Sequence, residues 1–394
     1  MSIKFSYLFL LSLVFLFACQ PELAPEPEEA EACSGPYQDF AQHPKADLYQ
    51  EILDRNRARG LVGTTILIKD ADGIWASSAG MANLETQRPM RACDRQLIAS
   101  ITKPFTSALI YRLQEEGLLE LSDLIKDHLP EETINRLANW EVATIEQCLA
   151  HRTGIPDYYN FALLIDQIDK YDNEPTYEDF LRYVYGKKAE FPVGTDYSYS
   201  NTNFILLGMI AEAVSGESLE ALYERLIFGP LNLQSGYYST TNPVPTDMPR
   251  AYVDLYGDGK VVDAEFLFID ETRTPDGGIV IDNYDLMRFF EGLLKGELLE
   301  EASLEKMTTL FDLPEYWQDT EVFGQLKNGY GIEHFEHFGT SAFGHTGAVD
   351  GFLSMAYYYP QEDFAFIQVV NTASYDYEPR VDMFHECAEI MFAE

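Results

Sequence analysis

Regular hydrophobic patterns near both ends of the chain predict two pairs of β-strands. Near the amino end, the segments Thr64–Ile68 and Ile74–Ala79 are joined by a short turn that contains glycine. Near the carboxyl end, Phe352–Tyr359 and Phe364–Val370 flank a short polar turn. Two hairpins separated by most of the chain are typical of one antiparallel sheet to which both chain ends contribute strands.

Apolar positions that recur with the helical period predict helices before, between and after these hairpins. The clearest are Asp47–Arg59, a helix that starts near Ser100 and stops at Gly117, Trp140–Ala150, Tyr177–Tyr185, Phe204–Val214 and Arg380–Phe392. The sequence therefore predicts an α+β (mixed α/β) fold. Its antiparallel sheet is built from both chain ends and flanked by helices, and a mainly helical region, residues 118–277, is inserted between the strands.

The first residues have the pattern of an export signal. A largely apolar run extends from Phe5 to Phe17, which is too short to span a bilayer but suits the hydrophobic part of a signal peptide. The run ends in Leu-Phe-Ala-Cys19, which resembles the lipobox of bacterial lipoproteins. We therefore predict a lipoprotein signal peptide over residues 1–18, lipidation of Cys19 and anchoring of the exported protein to a membrane of the cell envelope. An ordinary secretory signal with an incidental Cys19 is the alternative.

An acidic, proline-rich stretch follows the signal, and we predict that residues 19–45 form a tether before a folded domain at 46–394. The whole chain has 65 acidic and 27 basic residues, a formal net charge of -38. Such a field repels phosphate backbones, so nucleic acid is not an expected partner. The structural explanation for the acidity is a well-solvated surface.

Four cysteines remain besides Cys19, and an exported protein meets conditions that permit disulfides. We predict one bridge, between Cys33 and Cys93, with the other pairings left open. Cys148 lies in an apolar helical context, which favours a buried free thiol. The fourth cysteine is Cys387.

The sequence Ser-x-x-Lys occurs at Ser100 and Lys103. On a helix this spacing places the two side chains on the same face, one turn apart, where the lysine can hold the hydroxyl and remove its proton. A second copy, Ser303 to Lys306, lies in a charged helical stretch and shows that so short a motif also arises by chance.

A second short motif, Tyr-x-Asn, occurs at Tyr199 and Asn201, immediately before an apolar helix. A rigid backbone at that point can hold a phenol and an amide in place. The copies that begin at Tyr158 and Tyr171 lie in loops that lack such a scaffold. We therefore take Tyr199 and Asn201 as the candidate functional pair.

The triplet His345-Thr346-Gly347 opens the strands at the carboxyl end. Glycines around it allow the close approach of a substrate and leave backbone N–H groups free to donate hydrogen bonds.

The three motifs, in this order, resemble those of the serine β-lactamase, penicillin-binding protein and related esterase superfamily. The resemblance runs from about residue 47 to the carboxyl end and includes the segments Thr144–Tyr158 and Gly277–Phe290. Tyr-x-Asn and His-Thr-Gly are similar to the class C-like branch, which includes D-alanyl-D-alanine carboxypeptidases, D-aminopeptidases and carboxylesterases. The resemblance implies a β-lactamase/transpeptidase-like fold and a serine hydrolase.

The resemblance also implies roles for individual residues. Ser100 would attack a carbonyl group and form an acyl-enzyme, and Lys103 and Tyr199 would share the role of general base. Burial lowers the affinity of a lysine for its proton, and a nearby cation favours tyrosinate, so either residue can serve. Asn201 would orient the substrate amide. The backbone N–H groups of Ser100 and Ala348 would bind the oxyanion.

The substrate implied by the resemblance is a peptidoglycan D-Ala peptide, a β-lactam or a small ester. Ala348 lacks the hydroxyl that often follows the triplet in carboxypeptidase-like relatives, which favours ester or blocked amide substrates. Thr346 and Gly347 would bind substrate, whereas His345 either contacts substrate or assists proton transfer, or only shapes the pocket. The alternative function is a catalytically weak binding or sensor protein of the envelope with the same fold.

The segment Glu333–His337 contains two histidines three residues apart, a spacing that can ligate zinc. The alternation of Ile332, His334 and Glu336 instead predicts one face of a strand, and no third ligand stands out. We therefore expect neither a metal ion nor another cofactor. His151 is expected to be structural and to pack the loop beyond its helix.

Overall fold

A computed structural model describes residues 32–38, 40–163, 176–238, 248–264, 274–315, 325–349, 351–373 and 378–393. The predicted signal peptide, Cys19 and the acidic stretch up to residue 31 lie outside these residues, as does Tyr171. No helix among the residues described is both long enough and apolar enough to cross a membrane.

The strands are short except for those at the two ends of the chain. They are β1 (Gly63–Asp70), β2 (Gly73–Asn83), β3 (Arg88–Pro89), β4 (Gln96–Leu97), β5 (Tyr252–Val253), β6 (Val262–Asp263), β7 (Val280–Ile281), β8 (Phe311–Asp312), β9 (Lys327–Asn328), β10 (Glu333–His337), β11 (Thr340–Val349), β12 (Phe352–Tyr359), β13 (Phe364–Val370) and β14 (Thr372–Ala373). Within the described ranges, the main sheet has nine strands in the order β3-β2-β1-β13-β12-β11-β10-β9-β8.

The helices lie on both faces of this sheet and in the region inserted between its strands. They are α1 (Ala46–Arg57), α2 (Thr102–Glu115), α3 (Glu131–Ile134), α4 (Ile145–Leu149), α5 (Tyr177–Leu181), α6 (Asn201–Ser215), α7 (Leu219–Tyr223), α8 (Gly229–Leu231), α9 (Asn283–Leu294), α10 (Glu301–Met307) and α11 (Glu378–Met391). A π-helix covers Glu224–Phe228, and one of several 3-10 helices covers Ala99–Ile101.

The two chain ends meet in the middle of the sheet. Strand β1 pairs antiparallel with β2 on one side and with β13 on the other, and Ile66 lies opposite Ser77 and Gln368. This arrangement confirms the predicted fold class, including both predicted hairpins. Strand β11, which carries the triplet at 345–347, pairs with β12 and so lies at a fixed position in the sheet.

Each face of the sheet packs against its own layer of helices. Leu67 belongs to the larger buried cluster, which also contains Phe105 of α2 and Phe289 of α9. Ile66 and Phe384 belong to a second cluster, formed with α1 and α11. Neighbouring residues of a strand point to opposite faces, and burying each large apolar side chain contributes about 1.5–3 kcal/mol.

Two helices are shorter in the structure than the sequence predicts. The segment Trp140–Ala150 forms a helix only over Ile145–Leu149, because Thr144 caps that helix together with Gln147 and fixes its start. The segment Tyr177–Tyr185 is helical only to Leu181.

Ordered structure is also present before residue 46, within the segment that the sequence predicts as a tether. The predicted disulfide between Cys33 and Cys93 is present and joins residues 60 positions apart. Residues 35–38 and 40–42 form two 3-10 helices, and His43 hydrogen-bonds to Asp70 at 2.9 Å. Cys148 is buried as a free thiol, as predicted.

Candidate active site

Ser100 lies in the 3-10 helix that leads into α2. The preceding residue, Ala99, has a φ of 51°, a left-handed conformation that residues with a Cβ rarely adopt and that is typical of functional sites. Lys103 follows in the first turn of α2 and is fully buried. Its Nζ donates hydrogen bonds to Ser100 Oγ at 3.0 Å and to the backbone oxygen of Asp276 at 2.9 Å. The serine and lysine predicted as a pair are therefore in direct contact.

Tyr199 completes this group from the segment just before α6. Its hydroxyl is hydrogen-bonded to Ser100, and its ring centroid lies 4.9 Å from Lys103 Nζ. Desolvation by the surrounding protein raises the pKa of Tyr199 well above its usual value, although the bond from Ser100 acts in the opposite direction. Tyr199 is therefore a protonated phenol at neutral pH.

Asn201 is held by Asp157, a residue that the sequence analysis did not identify. The backbone N–H of Asn201 donates to Asp157 Oδ1 at 3.0 Å, and its Nδ2 donates to Oδ2 at 3.1 Å. Because Nδ2 is engaged, the amide oxygen of Asn201 is the atom that can accept a hydrogen bond from a substrate N–H. Burial raises the pKa of Asp157 to about 6.

The triplet on β11 is held by Glu333 of β10, which the sequence analysis also missed as a site residue. Glu333 Oε2 accepts hydrogen bonds from the backbone N–H of Thr346 at 2.9 Å and from Tyr357 at 2.7 Å. A Cβ at Gly347 would lie 2.4 Å from the backbone oxygen of Ile98, so glycine is required there. Glu333 and Gly347 thus fix the edge of β11 against the segment that carries Ser100.

His345 is buried beside these groups. Its Nδ1 lies 2.5 Å from the backbone oxygen of Thr346, to which it donates a hydrogen bond. Burial lowers the pKa of His345, so the ring is neutral at neutral pH. The cleft is lined by other residues of β11 rather than by His345 or Thr346, which favours a structural role for the histidine.

Ser100 opens into a cleft with an empty volume of about 330 Å³, part of which is open to solvent. It is lined by Ser100, Tyr158, Tyr159, Asn201, Thr274, Asp276, Gly277, Ala348 and Val349. Ser100 and Ala348, whose N–H groups we expect to bind the oxyanion, therefore face the same space. Tyr158, from a motif copy that the sequence analysis set aside, also lines this cleft.

The two histidines of the segment Glu333–His337 lie on strand β10, as the alternation predicted. Among the residues described, His43, Asp70 and Asp72 are close enough together to consider as a metal site. Lys45 Nζ lies 3.1 Å from Asp70 and 3.2 Å from Asp72 and so already supplies the positive charge at this group.

Comparison with protein families gives a match over most of the chain. The family model described as Beta-lactamase matches residues 46–386. A D-aminopeptidase of Cereibacter sphaeroides is 26% identical over 318 residues, which make up 80% of this chain and 58% of that protein. The chain therefore spans less than two thirds of the length of this relative.

Solved structures share the fold. A penicillin-binding protein from Bacillus halodurans has a TM-score of 0.73 at 26% identity, over 87% of this chain and 99% of its own. A D-stereospecific amidohydrolase from Streptomyces sp. has a TM-score of 0.74 at 24% identity, over 89% of this chain and 99% of its own. This chain and both of these proteins share the mixed fold, with an antiparallel sheet and flanking helices.

Proposed function

Because the chain belongs to the β-lactamase family, we propose that it is a serine hydrolase that cleaves an amide or ester bond through an acyl-enzyme on Ser100. One observation carries the proposal: the hydroxyl of Ser100 is hydrogen-bonded both to Lys103 Nζ, at 3.0 Å, and to Tyr199. A serine hydroxyl becomes an effective nucleophile only when a neighbouring base removes its proton. This geometry supports that activation.

The protonation of the two partners suggests a division of labour. Because Tyr199 is a phenol in the resting enzyme, we assign the first proton transfer to Lys103, whose amine, in its neutral form, accepts the proton of Ser100 as the serine oxygen bonds to the carbonyl carbon. When the tetrahedral intermediate collapses, Tyr199 donates its proton to the leaving group and takes one from Lys103. Water then attacks the acyl-enzyme through the reverse series of proton transfers, which restores both residues.

The identities of related proteins support an amide substrate that contains a D-amino acid residue. The relatives described above include a D-aminopeptidase and a D-stereospecific amidohydrolase. A peptidoglycan D-Ala peptide, a β-lactam and a small ester belong to the same set of candidate substrates. Ala348 has no hydroxyl to bind a terminal carboxylate. This favours esters, and amides whose carboxyl end is blocked, over carboxypeptidase substrates with a free terminal carboxylate.

We also propose that the protein is exported and anchored to a membrane of the cell envelope through a lipid on Cys19. Support comes from the apolar run that ends at Cys19 and from the disulfide between Cys33 and Cys93, a bond typical of oxidising compartments. Mass spectrometry of the protein purified from membranes tests this: the mature chain should begin at a lipidated Cys19. A mature chain that begins elsewhere excludes the anchor.

An ester assay and a fluorescent penicillin together test the catalytic proposal. Wild-type protein should hydrolyse 4-nitrophenyl acetate, and Ser100→Ala should lose this activity. Ser303→Ala is the matched control, because Ser303 belongs to the second Ser-x-x-Lys on α10 and lies outside the cleft. Full activity of Ser100→Ala rules the proposal out. Stable labelling by the penicillin without ester turnover instead supports the sensor function.

A further inference from the structure

The cleft contains a buried carboxylate that the hydrolytic mechanism does not use. Asp276 lines the cleft together with Ser100 and is only 5% exposed. Its Oδ2 accepts a hydrogen bond from Tyr158 at 2.9 Å, and Thr274 supplies another hydrogen bond to the side chain. Its Oδ1 has no hydrogen-bond partner among the residues that the structure describes.

An unpaired buried carboxylate oxygen costs free energy, because burial removes the water that would solvate it. The cost is recovered when a ligand brings a donor, and a cationic donor recovers most. An oxygen that lacks a partner in an otherwise hydrogen-bonded side chain therefore points to a donor on the substrate.

Asp276 lies close to the reacting centre. Lys103 Nζ donates both to Ser100 Oγ, at 3.0 Å, and to the backbone oxygen of Asp276, at 2.9 Å. One ammonium-sized group thus bridges the nucleophile and the residue that carries the carboxylate. Because Ser100 and Asp276 line the same cleft, an amino group on the carbon next to the attacked carbonyl is the part of a substrate best placed to meet Asp276.

The charges around the cleft also favour a cation. Asp157 lies close enough to Asp276 for the two carboxyl groups to repel each other, and Lys103 is the basic side chain that acts on both. Two carboxyl groups therefore face one lysine. The formal charge of -38 over the whole chain adds a long-range field that attracts cationic substrates.

We propose that Asp276 binds the ammonium group of the substrate, so that the enzyme acts on acyl groups with a free amino group next to the scissile carbonyl. This inference rests on the proposed serine hydrolase function and narrows its substrate class. Asp276 is then a residue that determines specificity, whereas Ser100, Lys103 and Tyr199 carry the chemistry.

A binding measurement tests the inference without requiring turnover. In the Ser100→Ala protein, calorimetry should show that D-alaninamide binds at least about 10-fold more tightly than N-acetyl-D-alaninamide, in which the amino group is blocked. Ser100→Ala/Asp276→Asn should lose this preference, with unchanged thermal unfolding. Ser100→Ala/Glu85→Gln is the charge-matched control, because Glu85 is an exposed acid away from the cleft, and it should keep the preference.

Two outcomes overturn the inference: equal binding of the two amides by Ser100→Ala, or a preference that survives in the Asp276→Asn background. The first comparison decides the question even if Asp276→Asn does not fold. Hydrolysis of 4-nitrophenyl acetate, which has no amino group, reports on the proposed function alone. Ester turnover without amine preference therefore overturns only the role of Asp276, and amine preference without ester turnover overturns only the hydrolase.

Discussion

His151 stacks on the ring of Tyr199, with ring centroids 4.4 Å apart and ring planes inclined by 26°. His151 Nδ1 also accepts a hydrogen bond from the backbone N–H of Ser200, the next residue, at 3.1 Å. The ring is neutral, because burial lowers the pKa of His151 well below its usual value. One buried histidine therefore fixes both the backbone and the ring of the tyrosine, a role more specific than the loop packing expected from the sequence.

We predict that His151 acts by positioning Tyr199. His151→Asn keeps an acceptor for Ser200 and tolerates the left-handed backbone at residue 151, where φ is 54°, but it removes the stacked ring. We expect kcat to fall by about 10–100-fold with little change in KM, since displacing a catalytic group by about 1 Å costs that much. Steady-state kinetics with 4-nitrophenyl acetate and an amide substrate provide the measurement.

His151→Phe is the complementary variant, because it keeps a ring against Tyr199 but removes the acceptor for Ser200. We expect a smaller loss of kcat than in His151→Asn, because the ring that stacks on Tyr199 is retained. A large rise in KM with unchanged kcat, in either variant, contradicts a positioning role. Thermal unfolding of each variant separates a loss of activity from a loss of fold.

Tyr199→Phe should affect amides much more than activated esters. A protonated phenol is suited to give its proton to a leaving group, and an amine leaving group needs that proton whereas 4-nitrophenolate does not. We expect kcat/KM to fall by about 10²–10³-fold for an anilide substrate and by less than about 10-fold for 4-nitrophenyl acetate. Equal losses on both substrates would place Tyr199 in the activation of Ser100 instead.

Local features made the reactive residues predictable. Ser100 and Lys103 share one helical face, and Tyr199 directly precedes an apolar helix, so short stretches of sequence were enough. Asp157 and Glu333 could not be found in this way. Each acts through residues far away in the chain, as Asp157 does on Asn201, 44 positions later.

The sequence around Asp276 gives only weak evidence of a functional role: Asp276 is an acidic residue that directly precedes Gly277 and Gly278 and an apolar segment. Its significance depends on Tyr158, 118 positions away, whose hydroxyl fixes one carboxylate oxygen.

The overestimated helix at Trp140–Ala150 has a local cause. The pair Thr144 and Gln147 matches the capping box, which marks the start of a helix, but apolar periodicity alone extended the prediction past it.

Reduction of the disulfide between Cys33 and Cys93 should destabilise the domain. The bond closes a loop of 60 residues, and the loss of this constraint on the unfolded chain corresponds to about 4 kcal/mol of unfolding free energy. Urea denaturation with and without reductant provides the measurement. Cys33→Ala/Cys93→Ala is the control, since reductant should not change its midpoint. A wild-type midpoint that is the same in both conditions contradicts the prediction.

The raised pKa of Asp157 should leave opposite signatures in stability and activity. Burial raises the pKa to about 6 from an ordinary value of 3.8, so the native state holds this proton more tightly than the unfolded chain does. Between about pH 4 and pH 6, stability therefore falls as the pH rises, and this contribution is lost above about pH 6. Over the same range, ionised Asp157 gains its full capacity to accept both hydrogen bonds from Asn201, so kcat/KM should rise.

Asp157→Asn tests both parts of this prediction. The change in unfolding free energy between pH 4.5 and pH 7, measured by urea denaturation, should be less unfavourable in the variant than in wild type. Hydrogen bonds lost through the substitution itself are absent at both pH values and cancel in this difference. The limb of the kcat/KM profile near pH 6 should also disappear. If the stability of the two proteins depends on pH in the same way, Asp157 titrates in its ordinary range. If kcat/KM of the variant still rises near pH 6, another group causes that rise.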